Sequence, residues 1–502
     1  MPRIKTQSVS DLIHPPVKQV LARVGNTAVD KGIEAYAVGG VVRDTLLNRS
    51  TTDIDFVTVG HGTGIQLAEA VCEAMDGTTA HVYPNFGTAS VHIPSPEGDG
   101  IASLEFVGAR KESYRRDSRK PIVEEGTLDD DLSRRDFTVN AMAMHILPDR
   151  FGDVVDPFGG RSDLEKGVLR TPLDPAQTFD DDPLRIIRAA RFSAQLGFPI
   201  DPKTLAAMHK CANRLSIVSM ERISYELEKI ISAPVPSIGF RSLFESSALK
   251  LFFPELVALH GVDTVGGQKH KDNFFHTLEV LDNLVQLTAH RSSEETLWLR
   301  WAALLHDIGK PRTKRFTPGI GWTFHSHEER GARMIPKIFR RLRLPTDERM
   351  KYVQKLIHLH HRPVSLVDEI VTDSAVRRLL FDAGDIVEDL MILVRADITS
   401  KNPRLVRKYL RNFDMVDEKM IVVEEKDRIR NFQPPVDGLE IMKALSLEPG
   451  RLVGELKESI REAILEGIIA NEHDAAFDYL MKIKDSIMEK AGVPDNSRKE
   501  SS

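Results

Sequence analysis

The chain has 502 residues, of which 41% are hydrophobic and 28% are charged, so several domains are expected and wholesale disorder is excluded. Two cysteines exclude a disulfide scaffold and a CxxC zinc site, and the net charge of −6 argues against a non-specific nucleic-acid coat. The sequence lacks an uncharged apolar run of about 18 residues and an apolar N-terminal segment. We therefore expect no membrane span, no signal peptide and a cytoplasmic location.

The first third of the chain is predicted to mix strands and helices. Short apolar or alternating runs predict strands at 36–38, 53–59, 89–93 and 103–107. Residues 41–47 read as a helical turn or two, and the linker at 95–100 suits a hairpin. Residues 111–131 carry mixed charge without a clear period, so a mobile loop is expected there.

From about residue 180 the apolar period becomes helical. A stripe beginning at Leu184 predicts a helix that ends at Gly197. The helices that follow are expected to break at proline or glycine, at 234–236, 266–267, 311, 345 and 434–435. The fold class is therefore multidomain, an α/β third followed by an all-α remainder, with a polar tail at 496–502 that is expected to fray.

A glycine turn and paired acids form the first candidate site. The segment 39–44 (GGVVRD) lies between a strand and a helix, where backbone amides favour phosphate and Arg43 can add a bidentate contact. Asp53 and Asp55 leave the same face of one strand and repel each other unless a cation lies between them, a role that suits Mg²⁺. Glu105 is a candidate third carboxylate, although an outward-facing strand glutamate is about as compatible.

The helix that begins at Leu184 carries a second group of candidates. Arg185, Arg188 and Arg191 recur every third residue and predict a basic ridge, suited either to phosphate or to a plain solvated face. Asp182 precedes a proline, so its carboxylate could cap the helix or contact a ligand.

A histidine–aspartate pair marks a further candidate site. His306 and Asp307 close the apolar helix WLRWAALLHDIGK, where a charged pair needs a partner such as a Mn, Fe, Ni or Mg ion. Separate predicted helices supply other possible ligands: His276, His327, His360 and Asp397. His325 and His361 are expected to be bystanders.

Two stretches are strongly basic. Residues 330–362 contain ten basic and two acidic residues, and residues 401–411 contain five basic residues and no acid. Either stretch can be a solvated helical face or a surface that tracks phosphates.

Five segments in order resemble the motifs of bacterial class II CCA-adding tRNA nucleotidyltransferases, in the DNA polymerase β-like superfamily. They are GGVVRDTLLNRSTTDIDFV, GTLDDDLSRRDFTVNAMAM, DPFGGRSDLEKGVLRT, DDPLRIIRAARFSAQLGF and ERISYELEKI. The segment ALLHDIGKP and the order H…HD…H…H…D resemble the HD phosphohydrolases. Residues 438–467 resemble the helical tail of the CCA-adding enzymes. The resemblance implies a small mixed-sheet catalytic head, a helical neck, an HD-type domain and a helical tail, at 20–165, 166–240, 241–425 and 426–502.

The resemblance also implies roles for single residues. The catalytic Mg²⁺ ligands would be Asp53 and Asp55, with Glu105 as a possible third acid. Gly40 and Arg43 would hold the triphosphate. The remaining nucleotide-binding residues would be Arg135 from the second motif, Asp182 and Arg185 at the base edge, and Arg188 and Arg191 at phosphate. One departure is Asp181, where the family usually has glutamate.

The implied activity is addition of CMP, CMP and AMP to the tRNA 3′ end, with tRNA, CTP and ATP as partners and no obligate protein partner. The HD-type domain would bind Mg²⁺ or a divalent transition metal and either hydrolyse phosphate esters or only hold tRNA. Arg340, Arg341 and Arg343 would bind tRNA. Rival interpretations are a poly(A) polymerase, a relative that adds only CC or only A, and a metal phosphohydrolase with an RNA-binding head.

Overall fold

The chain divides into two compact units, Met1–Pro254 and Glu255–Ser502. The structure, a computed structural model, describes residues 9–490 except 52, 76–77, 85–86, 95–100, 116–117, 266, 369–371, 428 and 431. The predicted linker at 95–100 and the predicted frayed tail at 496–502 therefore lie outside the described residues. No helix in the described part of the chain is long and apolar enough to cross a membrane.

A seven-stranded mixed sheet organises the first unit. Its strand order is β3-β4-β5-β2-β1-β8-β9, in which β2 and β5 are parallel and the other neighbours are antiparallel. The strands of this unit, including the separate hairpin β6–β7, are β1 Glu34–Val38, β2 Asp53–Val59, β3 Ala80–Tyr83, β4 Thr88–Pro94, β5 Ile101–Gly108, β6 Arg110–Arg115, β7 Ser118–Glu125, β8 Ala143–His145 and β9 Val154–Val155. The four predicted strands are thus confirmed.

The helices of the first unit cover the sheet and extend beyond it. They are α1 Pro15–Asp30, α2 Gly40–Leu46, α3 Thr63–Ala74, α4 Leu128–Ser133, α5 Gly160–Lys166, α6 Pro175–Asp181, α7 Leu184–Leu196, α8 Pro202–Cys211, α9 Met220–Ile231, α10 Pro236–Glu245, α11 Leu249–Phe252 and, at the junction, α12 Pro254–Val257. On the core face, Phe56 and Phe106 stack with ring centroids 4.9 Å apart, and Leu21 of α1 and Leu67 of α3 are fully buried. Burying these side chains leaves the opposite face for chemistry.

The expectation of a mobile loop at 111–131 is wrong. The segment forms most of the β6–β7 hairpin and the start of α4, whose N-cap Thr127 is closed by a capping box with Asp130. Charge, not apolar alternation, fixes it to the unit: Glu112 is paired with Arg110 at 2.8 Å and with Arg134 at 3.0 Å. Because backbone hydrogen bonds and ion pairs hold this segment, its sequence has no hydrophobic period from which the strands could be predicted.

The second unit is mainly helical, as predicted. Its helices are α13 Asn273–Leu287, α14 Ser293–Leu305, α15 Lys310–Thr313, α16 His327–Arg341, α17 Glu348–Leu359, α18 Arg362–Asp368, α19 Asp373–Ala383, α20 Val387–Ala396, α21 Pro403–Asp427, α22 Gly438–Leu445, α23 Arg451–Leu465 and α24 His473–Lys490. The prediction missed two small hairpins, β10 Thr264–Val265 with β11 Gln268–Lys269 and β12 Arg315–Thr317 with β13 Gly321–Thr323. Strands of two or three residues are too short to carry a period.

The predicted boundary at residue 241 falls inside α10, which packs against α7 within the first unit. The predicted head and neck therefore share one compact unit, and the predicted HD-type domain and tail share the other.

Candidate active site and metal centre

Three carboxylates meet on the open face of the sheet. Asp55 of β2 is directly opposite Glu105 of the parallel strand β5, and Asp53 lies two residues before Asp55 on the same face. Burial raises the pKa of Asp55, and Asp53 raises it further, against the lowering effect of Arg135. Burial and the charges of Asp55 and Asp53 also raise the pKa of Glu105. Acids that repel one another in this way fit a divalent cation held by carboxylate oxygens.

The glycine turn lies beside these acids. The guanidinium of Arg135 occupies the space that a side chain at Gly39 would need. Gly39 ends β1 with φ +72°, and a Cβ built there would lie 2.8 Å from Nη1 of Arg135 and 3.8 Å from Oδ2 of Asp55. Only glycine satisfies both the left-handed backbone and this close approach. Arg135 in turn donates to the buried carboxylate of Asp131, at 3.0 Å from Nη2 to Oδ2.

Arg43 is held by two neighbours in the head. Its Nε and Nη2 donate to the two carboxylate oxygens of Asp44 at 2.9 and 2.8 Å, and its Nη1 donates to Oδ1 of Asn140 at 2.7 Å. These bonds use three of the five guanidinium N–H groups and fix the orientation of the others. Arg43 is therefore preorganised beside the glycine turn, where its remaining N–H groups suit an anion.

A buried aspartate joins the head to helix α7. Nδ2 of Asn140 donates to Oδ1 of Asp136 at 3.1 Å, and Nε of Arg188 donates to Oδ2 at 2.8 Å. Although burial opposes ionisation, Arg188 lowers the pKa of Asp136 to about 2. The guanidinium of Arg188 lies 5.4 Å from the ring centroid of Phe192, with those of Arg43 and Arg191 at 5.3 and 4.3 Å. Three cations thus surround one aromatic ring.

The predicted basic ridge on α7 is wrong in two respects. Arg191 is buried, 7% exposed, and pairs with the buried Glu226 of α9 at 3.0 Å. Arg188 is held by Asp136, and Nη2 of Arg185 donates to the carbonyl of Arg134 at 2.7 Å. All three arginines therefore contact other parts of the first unit and do not form one solvated face. Their carboxylate partners are 52 and 35 residues away in sequence for Arg188 and Arg191, so the period of α7 alone could not place them.

Asp182 makes the contact expected of a helix cap. Its Oδ1 accepts the backbone N–H of Leu184 at 3.1 Å, at the start of α7. Asp181, the departure from the family pattern, lies at the end of α6, where burial raises its pKa against the charge of Arg185. Capping by Asp182 is therefore present, and base reading would require its other oxygen.

The six predicted ligands of the second unit come together. Nε2 of His276 lies 2.9 Å from Oδ1 of Asp397, and Nε2 of His327 lies 3.2 Å from Nε2 of His360. Each sits at a helix terminus or within its first turn: His276 on α13, His306 and Asp307 at the end of α14, His327 on α16, His360 at the end of α17 and Asp397 at the end of α20.

The imidazoles of this centre are oriented from behind. Nδ1 of His306, His327 and His360 lies 2.7, 2.9 and 2.7 Å from the backbone carbonyls of the residues three positions earlier, and Nδ1 of His276 lies 2.9 Å from the hydroxyl of Thr399. A carbonyl only accepts, so the Nδ1 atoms of His306, His327 and His360 carry a proton and leave Nε2 for the centre. This is the usual support of metal-binding histidines.

Asp307 has one oxygen on each side of the centre. Its Oδ2 lies 3.4 Å from Nε2 of His306 and 3.6 Å from Nε2 of His276, whereas its Oδ1 lies 3.4 Å from Nε2 of His327. The potential ligands accordingly fall into two groups that share Asp307. The first group also contains His276 and His306, and the second contains His327 and His360. The arrangement suits a carboxylate that bridges two ions.

The charge of this centre fits resident cations. Asp307 and His306 are 1% and 0% exposed, and Nε2 of His306 is buried without a hydrogen bond of good geometry. Against burial, Asp307 and the 29% exposed Asp397 raise the pKa of His306 to about 10, because the two carboxylates require compensating positive charge. A site that needs positive charge and offers imidazole and carboxylate donors fits divalent metal ions.

Gly309 and Lys310 also shape the centre and were not predicted. A Cβ at Gly309 would lie 2.1 Å from the carbonyl oxygen of His327, so only glycine lets α16 approach the residues after Asp307. Nζ of Lys310 lies 2.6 Å from Oδ2 of Asp307. The quoted motif ALLHDIGKP contained both residues, and their spacing to Asp307 was the available signal. The two expected bystanders, His325 and His361, are exposed.

The predicted tRNA contacts Arg340, Arg341 and Arg343 differ in their surroundings. Arg341 is already paired, because its two Nη atoms bind the two carboxylate oxygens of Glu255, one of them at 2.6 Å, and a phosphate would have to compete with that carboxylate. Arg340 and Arg343 are exposed. The carboxylate lies 86 residues before Arg341, which is why a local charge count missed it.

In the first unit, sequence reasoning missed Asp131, Asp136, Asn140 and Phe192. All four lie within quoted motifs, but their role is to hold arginines, which only the folded arrangement reveals.

Comparisons with known proteins match both units. The poly A polymerase head domain matches residues 35–170, the probable RNA and SrmB-binding site of polymerase A matches residues 197–259, and the HD domain matches residues 273–402.

Two relatives illustrate the extent of similarity. The chain is 34% identical to the A-adding tRNA nucleotidyltransferase of Deinococcus radiodurans over 355 residues, 69% of this chain and 78% of the relative. It is 31% identical to the multifunctional CCA protein of Pseudoalteromonas atlantica over 449 residues, 88% of this chain and 100% of the relative.

Solved structures share the fold. The Thermotoga maritima CCA-adding enzyme complexed with tRNA matches with a TM-score of 0.60 and 21% identity, covering 95% of this chain and 99% of that one. The Bacillus stearothermophilus CCA-adding enzyme in complex with CTP matches with a TM-score of 0.61 and 24% identity, covering 95% and 100%.

Proposed function

The chain belongs to the tRNA nucleotidyltransferase family, and from this premise we propose that it adds CMP, CMP and AMP to the 3′ end of tRNA. CTP and ATP are the donors, pyrophosphate is released, and the tRNA substrate favours a cytoplasmic location. The observation that carries the proposal is the cluster of Asp53, Asp55 and Glu105 beside the Gly39 turn and its arginines.

The carboxylates would hold divalent metal, for which Mg²⁺ is the best candidate because the donors are oxygens of acids on neighbouring strands. A bound ion supplies acidity to the RNA 3′-hydroxyl and screens the leaving pyrophosphate. Asp53 and Asp55 lie two residues apart on β2, so both carboxylates would hold the ion. Glu105 would contact the same site from β5.

Arg43 and Arg135 would hold and orient the nucleotide. Arg43 is fixed by Asp44 and Asn140, and Arg135 lies over Gly39, so both are positioned beside the glycine turn for a triphosphate. Asp182 and Arg185 would read the base edge. Arg188 and Arg191 would act through this network, since carboxylates already hold their guanidinium groups.

The specificity of addition is tested with tRNA transcripts that end before, within and after CCA, incubated with single nucleotides and then with CTP plus ATP. We expect CC followed by A, and no further extension. Addition of A alone to a CC end would assign the chain the specificity of its Deinococcus relative. Long adenylate tails would identify a poly(A) polymerase, and no incorporation would overturn the proposal.

We propose a second activity, hydrolysis of phosphate esters at the His–Asp centre. The observation that favours it is the division of the ligands into two groups that share Asp307. Metal analysis of the purified protein and assays with small phosphomonoesters and 2′,3′-cyclic phosphates test it. Bound metal without hydrolysis would leave this domain a holding role.

A further inference from the structure

The order of strands separates the two substrates of nucleotidyl transfer. The Gly39 turn and its arginines follow β1, on one side of the carboxylates of β2. On the other side of β2 the sheet continues as β5, β4 and β3. In-line displacement requires the attacking hydroxyl and the leaving pyrophosphate on opposite sides of the phosphorus. If the triphosphate lies toward β1, the RNA 3′ end arrives over β5, β4 and β3.

The strand register shows which side chains the RNA would meet there. Asp55 is opposite Glu105, Glu105 is opposite Ser90, and Ser90 is opposite His81, so these four share one face in a row across four strands. A second row on that face runs from Asp53 through Ser103 to His92. Tyr83, two residues after His81, lies on the same face.

The two ends of this face differ in solvent exposure. Toward β1 it is closed, because Leu132 of α4 packs with Tyr36, Val38 and Val57. Toward β3 the described residues leave it uncovered: His81 and His92 are exposed, with ring centroids 5.8 Å apart, and Tyr83 is 52% exposed. Nothing in the core requires aromatic rings at these solvent-facing positions.

We infer that His81, Tyr83 and His92 form an RNA platform that binds the unpaired nucleotides upstream of the reacting 3′ end. This inference rests on the proposed function. Three inter-strand steps of about 4.8 Å separate Asp55 from His81, roughly 14 Å in all. A stacked strand rises about 3.4 Å per nucleotide, so the platform reaches nucleotides before the one at the carboxylates.

Ring stacking suits this task because the sequence at the growing end changes with each addition. Every base offers a π-face, so aromatic and imidazole rings bind successive nucleotides without demanding one sequence. Unpaired 3′ nucleotides are also the part of tRNA whose bases are accessible to such contacts. The RNA platform thus positions the primer, while the α7 region handles the incoming nucleotide.

The test is the steady-state kinetics of Tyr83→Ala, His92→Ala and a His81→Ala/Tyr83→Ala double variant. We expect the KM for tRNA to rise about fivefold or more in the double variant, with the KM for ATP unchanged. The increase should be larger for a transcript ending in CC than for one ending before CCA, because more unpaired nucleotides reach the platform. Tyr83→Phe keeps the ring and should restore the KM.

His61→Ala is the matched control. His61 is an exposed histidine of the same domain, beyond the far end of β2 from Asp53 and Asp55. An unchanged KM for tRNA in the double variant, or an equal rise with His61→Ala, would overturn the platform while wild-type addition proceeds normally. Failure of the wild-type protein to add any nucleotide would instead overturn the proposed function, and the platform with it.

Discussion

The two candidate metal centres of this chain are built in opposite ways. Asp53 and Glu105 are exposed on one face of a sheet, and the strand register alone aligns them with Asp55. His306 and Asp307 are buried among helix ends, Asp397 is 29% exposed at the edge, and backbone carbonyls hold the imidazoles of His306, His327 and His360. An open set of acids can share its cation with the phosphates of a large incoming substrate, whereas a mostly buried set is suited to a resident ion. Access, more than ligand type, distinguishes the two centres.

The largest effect is expected at the open centre. Asp53→Ala or Asp55→Ala should lower the rate of nucleotide addition on the order of 10³-fold, because the divalent ion contributes several kcal/mol of transition-state stabilisation. Metal content of the second unit and the thermal unfolding temperature should not change. Near-normal single-turnover rates in either variant would remove these acids from the active site.

The mostly buried His–Asp centre should respond separately. His306→Ala combined with Asp307→Ala should remove most of the metal bound by the second unit and abolish any ester hydrolysis, with nucleotide addition within about twofold of wild type. Metal analysis by mass spectrometry and the two activity assays measure this.

Asp307→Asn changes the side-chain volume less than Asp307→Ala does, so it tests whether a loss of metal results from misfolding. His325→Ala is the matched control, since His325 is exposed. Loss of nucleotide addition in parallel with loss of metal would show that the two centres are coupled and do not act separately.

The arginine network of the first unit should depend on a charged Asp136. Asp136→Asn breaks the buried pair with Arg188 and should lower the free energy of unfolding by about 3 kcal/mol at pH 7. The pKa of Asp136 is lowered to about 2 from an ordinary value of 3.8, so its stabilisation is complete above the ordinary value and is lost as the pH falls toward 2.

Urea unfolding of wild type and Asp136→Asn between pH 7 and pH 2 checks the sign. The difference between the two proteins should be constant down to about pH 4 and shrink below it. A difference that shrank on raising the pH instead would contradict the assignment.

Asp182 can be tested for capping and base reading separately. Asp182→Ala should cost about 1 kcal/mol of stability, because the N–H of Leu184 loses its acceptor. Asp182→Asn keeps a capping oxygen but converts the other acceptor to an amide, so stability should be retained while discrimination among CTP, ATP and the other nucleotides falls. Unchanged discrimination with Asn would leave Asp182 a cap only.

The smallest effect is expected on the basic stretch of the second unit. Arg340→Ala should lower the slope of tRNA affinity against salt by about one, since a phosphate contact is lost. Arg341→Ala should leave that slope unchanged, because Arg341 is paired with Glu255. If Arg340→Ala also left the slope unchanged, the stretch would be a solvated helix face.

Local patterns in the sequence predicted the paired acids of one centre and the His–Asp pair of the other, and the family resemblance supplied the remaining ligands. Asp53 and Asp55 are two residues apart on a strand, and the period of a strand alone puts them on one face. His306 and Asp307 end an apolar helix, and the order of the other four ligands carried the remaining prediction. The principal strands and the helical character of the remainder follow from the same periodicities.

Tertiary structure decided what each arginine contacts. A guanidinium binds a carboxylate of its own chain as readily as a phosphate, and nothing in a local charge pattern distinguishes the two outcomes. Arg188, Arg191 and Arg341 all found carboxylates far away in sequence, and Glu112 anchors a hairpin that has no apolar period. Hydrophobic periodicity is a local property of the chain and can be read from the sequence, whereas charge pairing is a property of the fold, because its partners become neighbours only after the core has formed.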